Sequence, residues 1–101
     1  MNTILHIGLG SFHRAHQAVY LHHLRESGDR SWRIVGGNIR NDMAATMAAL
    51  AAQGGAYTLE TITPAGERGY ERITSIERVI AYAPDLAALV AAGAEPSTRI
   101  V

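Results

Sequence analysis

The sequence contains no cysteine, which excludes disulfides, thiolate nucleophiles and cysteine-ligated zinc and fits a reducing cytoplasm. It has no net charge, because nine basic residues balance nine acidic ones. That balance removes the electrostatic term that dominates nucleic-acid binding, so no nucleic-acid partner is expected. No apolar run approaches the roughly 20 residues needed to cross a bilayer, so no membrane partner is expected either. The N-terminus does not read as a leader, since His6 and the glycines after it interrupt Ile4, Leu5 and Ile7 almost at once. At 101 residues there is room for one core and no second.

What the chain does have is apolar residues, 48% of the total, scattered among polar ones as in a globular domain. Thr3 to Gly8 is short, apolar and β-branched and runs directly into Gly8-Leu9-Gly10, which predicts a buried parallel strand ending in a tight turn. A helix is predicted from about Phe12 to Glu26. Ala15, Ala18, Val19 and His22 form one stripe, Tyr20, Leu21 and Leu24 lie on the other side, and Ser27-Gly28-Asp29 ends the helix. Trp32 to Gly37 reads as a second buried strand, and an alanine-rich helix follows from about Met43 to Gln53. Asp42 stands where an N-cap belongs. Strand, glycine turn, helix, strand and helix in about fifty residues is the pattern of half a mononucleotide-binding fold.

Beyond Gly54-Gly55 the period changes to two. Tyr57, Leu59 and Thr61 alternate with Thr58, Glu60 and Ile62, a Pro64-Ala65-Gly66 turn follows, and a second polar alternating stretch runs through Ser75. This predicts an antiparallel hairpin that makes the sheet mixed or extended. Pro84-Asp85 is read as the opening of a helix through about Ala92, closed by Gly93 and Pro96. Thr98 to Val101 reads as the opening of a further strand, whose unpaired edge is a predicted site of aggregation.

Gly8-Leu9-Gly10-Ser11-Phe12-His13 supplies two of the three glycines of the dinucleotide fingerprint. The first glycine allows the tight turn, and the second lets backbone approach a pyrophosphate. His13 stands in the place of the third, and the motif alone does not separate a nucleotide site from an ordinary α/β turn. The longer string Leu5-His6-Ile7-Gly8-Leu9-Gly10-Ser11-Phe12-His13-Arg14-Ala15-His16-Gln17-Ala18 strongly resembles the opening of the mannitol dehydrogenase family of long-chain polyol and hexuronate dehydrogenases. Trp32-Arg33-Ile34-Val35-Gly36, Arg40, Tyr57-Thr58-Leu59 and Ile73-Thr74-Ser75-Ile76 resemble that family's later segments in the same order.

The resemblance implies an α/β, Rossmann-type cofactor domain with an added hairpin and an incomplete doubly wound sheet. It also implies an NAD cofactor and reversible oxidation of a secondary alcohol on a sugar alcohol or sugar acid. Histidine in place of the third glycine is normal in that family. Gly8, Leu9, Gly10, Ser11, Phe12, His13 and Arg14 carry over as the cofactor-contacting turn. For Arg14, a phosphate contact and a solvated helix-start arginine are both open.

The second strand ends in Gly37-Asn38, where an acidic residue ordinarily holds the ribose hydroxyls. Asp42 is the nearest carboxylate, and it either reaches the ribose or caps the next helix. Arg40 is close enough in sequence to meet a 2′-phosphate, which leaves NADP open; the resemblance favours NAD.

In the resembling family the proton transfer of alcohol oxidation falls to a lysine, with asparagine and histidine nearby, in a helical domain far downstream. The present sequence has no lysine, so no catalytic residue is assigned. Residues 1–101 are expected to be the N-terminal part of an NAD-binding domain, with the helical domain, and the strand beyond the point where sheet order reverses, not reached.

The histidines and the glycine turn also admit other readings. His13, His16 and His23 fall near one face of the first helix, but no carboxylate shares their spacing, so no metal site is assigned. His6 reads as a hydrogen-bonded core histidine, His13 and His16 as lining the nucleotide turn, and His22 and His23 as packed or solvent-facing. The remaining alternative is a non-catalytic module whose glycine turn holds a nucleotide or another adenosine-bearing ligand such as S-adenosylmethionine.

Overall fold

The computed structural model describes all 101 residues. Strands β1 (Asn2–Ile7) and β2 (Trp32–Gly37) lie side by side in parallel register, Leu5 opposite Val35 and Ile7 opposite Gly37. Strand β3 (Tyr57–Ile62) pairs antiparallel with β4 (Arg68–Ile73). Strand β5 (Ile76–Ile80) returns to the far edge of β2, and β6 (Thr98–Ile100) pairs with β1 on its other side. The main sheet thus has the order β5-β2-β1-β6, all parallel, and the hairpin forms a two-stranded sheet of its own. The expectation of a mixed or extended main sheet is therefore corrected.

Alternation along the central strands builds two cores. Ile34 and Ile76, with Ile4 beside them, pack against Leu9, Ala18, Val19, Met47, Leu50 and the base of the hairpin at Tyr57 and Ile73. Their neighbours Leu5 and Val35 point the other way and meet Ile80, Leu89 and Ala92. The pairing of β2 with β5 slips between Ile34 and Val35, skipping Glu77, which brings Ile76 and Ile80 to opposite faces. A sheet covered on both faces is the doubly wound arrangement.

The helices differ in detail from the sequence pattern. The first is broken into α1 (Ser11–Ala15) and α2 (Gln17–Glu26) at His16, whose backbone has φ −124° and ψ −88°. The His16 ring Nδ1 binds the carbonyl of Phe12 at 2.8 Å while its amide turns to His13, so the side chain takes the bond a continuous helix would give its own backbone. Ala18, Val19 and His22 are buried as expected, Leu21 joins them, and Ala15, Tyr20 and Leu24 face outward.

Helix α3 (Ala44–Ala52) starts two residues past Asp42 and carries no side-chain cap. The capping role read for Asp42 is thereby corrected: its carboxylate lies 3.5 Å from Arg40 instead. Helix α4 (Ala87–Ala94) begins after Pro84, which sits in the preceding turn, and Asp85 accepts a hydrogen bond from the Ala87 amide at 3.1 Å.

Two strands bear on the site. The polar alternation does not run through Ser75; it stops at Ile73, and Ser75 is buried with its hydroxyl donating to the Ala18 carbonyl at 2.6 Å. The far-side strand that the sequence placed out of reach is represented by β6, which pairs Thr98 with Thr3 and Ile100 with Ile4. The point where strand order reverses, between β1 and β6, is therefore present at the head of α1.

Candidate cofactor cleft

The turn after β1 is set by Gly8, whose φ of +97° is one that side chains rarely tolerate. Its amide donates to the Gly37 carbonyl at 2.6 Å, tying the turn to the end of β2. Leu9 then drops into the core with no exposed surface, into space left open by the missing side chain of Gly36. Gly10 precedes α1 in extended conformation and offers no side-chain cap. The first bond of the helical turn is Arg14 N–H to the Gly10 carbonyl at 3.0 Å, so the amides of Ser11, Phe12 and His13 precede it and are free for an outside acceptor.

These residues form one wall of an open cleft of about 940 Å³ at the carboxyl ends of β1 and β2. Asn38, Ile39, Arg40 and Asp42 supply the opposite wall. Of the turn residues expected from the sequence, Gly8, Gly10, Phe12 and His13 line the cleft, and Asp42 joins them from across it. Leu9, Ser11 and Arg14 do not. Leu9 is core. Ser11 is exposed at the head of α1, and Arg14 turns away, its Nε donating to the Leu9 carbonyl at 3.0 Å.

His13 is the most unusual residue of the cleft. It is 5% exposed, yet neither ring nitrogen has a hydrogen-bond partner within the protein. Its ring stacks on His6 with centroids 3.8 Å apart, and the His6 Nδ1 donates to the Gly8 carbonyl at 2.6 Å. Burial, with the nearby His6 and Arg14 adding to it, pushes the His13 imidazole down to about 4, so at neutral pH it is uncharged, with one nitrogen donating and the other accepting. The other buried side-chain atom without a partner is Nδ2 of Asn38. All the orphaned buried polar side-chain atoms of the protein thus belong to two residues that line this cleft. Nearly all buried polar groups have a partner, whether in the protein, in ordered water or in a bound ligand.

In the sequence Asn38 stands out only as the position where a carboxylate is missing. Its signal was its place, the first polar residue after the glycines of β2. Phe12, His16 and Tyr20 extend the cleft as an exposed stripe, the Phe12 and His16 rings stacked at 4.1 Å. No three histidines or carboxylates come together in a metal-holding group. No helix is long and apolar enough to cross a membrane.

Known proteins are similar to this chain over nearly its whole length. Residues 2–101 match the family model described as the mannitol dehydrogenase Rossmann domain. The chain is 59% identical over 99 residues to D-arabinitol 4-dehydrogenase of Klebsiella pneumoniae, covering 98% of this chain and 22% of that protein. It is 41% identical over 99 residues to mannitol 2-dehydrogenase of Cereibacter sphaeroides, covering 97% of this chain and 20% of the relative. Mannitol 2-dehydrogenase of Pseudomonas fluorescens, solved as a ternary complex with NAD and D-mannitol, superposes with a TM-score of 0.87 at 32% identity, again over 97% of this chain and 20% of that one. The chain therefore spans about a fifth of the length of the proteins it matches. With its glycine turn, its parallel sheet and a family match from end to end, the chain belongs to the mannitol dehydrogenase family, within that family's Rossmann domain.

Proposed function

We propose that this chain holds NAD in the cleft at the ends of β1 and β2, as the cofactor-binding portion of a cytoplasmic oxidoreductase. The whole enzyme would act on a secondary alcohol of a sugar alcohol or sugar acid, of the mannitol, arabinitol or mannonate kind. The observation that carries this reading is the set of unpaired buried nitrogens on His13 and Asn38, two residues that line the cleft together with Gly8 and Gly10 of the glycine turn. Amide N–H groups of Phe12 and His13 suit phosphate oxygens, and a neutral imidazole and a carboxamide suit phosphate or ribose oxygens. On this reading Asp42 accepts from a ribose hydroxyl and gives up its exposed contact with Arg40. NAD supplies the hydride acceptor; this chain's residues bind and orient it, and the proton transfer is left to groups outside the chain. Small molecules are its partners on this reading.

Calorimetric titration with NADH tests the assignment. Saturable one-to-one binding is expected. Asn38→Ala should weaken it by about tenfold, the loss of one hydrogen bond to a buried partner. Preference for S-adenosylmethionine over NADH, or an Asn38→Ala affinity equal to that of the parent, would overturn the reading. Replacing Asp42 by asparagine is expected to narrow the preference for NADH over NADPH by several-fold, since it removes both a ribose acceptor and the charge that repels a 2′-phosphate.

A further inference from the structure

Most of the arginines in this protein have a carboxylate partner. Arg25 and Arg33 share Glu77, Arg30 meets Glu26, Arg40 meets Asp42, Arg68 meets Glu60, and Arg78 meets Glu95. That leaves Arg14, Arg72 and Arg99 without a carboxylate. Arg14 and Arg72 line the same groove, about 690 Å³, which shares no lining residue with the nucleotide cleft. The remaining polar lining comes from Thr46 and Gln53 on and just past α3 and from Tyr57 and Thr58 on β3, with no acidic residue among them. Two cations and no anion in one groove of a neutral protein is an uncompensated patch.

Arg14 is held in place by a hydrogen bond to backbone and not by an ion pair. Arg14 is partly buried and its Nε is fixed on the Leu9 carbonyl, which leaves its terminal nitrogens to the groove. Its own carbonyl accepts from the Tyr57 hydroxyl, which pins the turn to the base of the hairpin. Arg72 sits directly opposite Thr58 in the hairpin register, while Glu60, the nearest carboxylate on β3, is taken up by Arg68 at 2.9 Å. Guanidinium forks backed by hydroxyls are the donor set that recognises tetrahedral oxyanions.

We infer that this groove is a second anion site, separate from the nucleotide cleft, which takes the phosphate group of a small molecule between Arg14 and Arg72. The inference does not depend on the identity of the nucleotide. Its occupant would bridge α1 to the hairpin, so that phosphate binding steadies the hairpin against the body of the domain.

The test is titration of the chain with inorganic phosphate at constant ionic strength, followed by calorimetry, with chloride as the control. Phosphate is expected to bind with millimolar or tighter affinity. Arg72→Ala, an exposed position whose loss leaves the fold intact, should reduce that affinity by tenfold or more and leave NADH binding unchanged. Glycerol 3-phosphate distinguishes the source of the group: tighter binding than inorganic phosphate assigns the site to an ester, weaker binding to the free ion. Phosphate binding no stronger than that of chloride sinks the proposal. So does binding that survives Arg72→Ala and is displaced by NADH, which would put the anion in the nucleotide cleft.

Discussion

Changing Gly36 to alanine should destabilise the chain by about 1–3 kcal/mol, the usual cost of overpacking a filled core. It should also reduce NADH affinity by tenfold or more, although residue 36 does not line the cleft. A methyl group at position 36 would stand 2.6 Å from Leu9 Cγ and collide with both terminal carbons of that side chain. Leu9 has no exposed surface and cannot step aside without moving the turn it belongs to. On one side of it is Gly8, whose amide is tied to the Gly37 carbonyl, and on the other are Gly10 and the free amides of α1. The clash therefore passes directly into the geometry of the cleft.

Leu9→Ala alone should cost about 2–5 kcal/mol through the cavity it leaves. Because the Leu9 side chain is the obstacle, adding Gly36→Ala to Leu9→Ala should cost almost nothing further. The double variant would then be more stable than the sum of the single losses by about 1–3 kcal/mol. Urea denaturation of the four proteins measures this. Strict additivity would mean that Leu9 and Gly36 do not share the space the structure gives them.

That pairing was not visible in the sequence, and the reason is instructive. The turn Gly8-Leu9-Gly10 was legible because a short apolar strand running into glycines has few alternatives. The direction of Leu9 was not, since a residue between two glycines can point to ligand or core, and only Gly36 on the neighbouring strand decides. Arg14 shows the same limit: the carbonyl that holds its Nε belongs to Leu9, five residues back, and no spacing rule predicts that contact.

Strand β5 was missed for a different reason. Glu77 and Arg78 interrupt its apolar pattern, and the compensating partners of Glu77, Arg25 and Arg33, lie on other elements. The break at His16 was hidden because histidine is tolerated in helices and its ring bond to Phe12 is a matter of rotamer. Strands β1 and β2 and the hairpin, in contrast, are encoded by local alternation and turn residues and matched the structure closely. What the sequence conveyed least well was the part of the cleft lined by Asn38, whose buried nitrogen has no partner within the protein.

His13 makes the stability of the chain sensitive to mild acid. In the unfolded chain its imidazole takes up a proton near 6.5, and in the folded chain not until about 4. Between those values the unfolded state binds more protons, so stability from this group is complete above about pH 7 and falls as the pH is lowered toward 4. The full loss approaches about 3 kcal/mol. His13→Phe keeps a flat ring against His6 and cannot titrate. Urea midpoints of the parent should therefore fall relative to those of His13→Phe between pH 7 and pH 4.5, and the difference cancels the carboxylates common to both. Parallel curves would show that the imidazole is not held neutral by burial. An anionic ligand accepting from His13 favours the protonated ring and raises its pKa. Saturating NADH should accordingly flatten the pH dependence of the parent and leave that of His13→Phe unchanged, which links the orphaned nitrogens of the free cleft to the ligand that satisfies them.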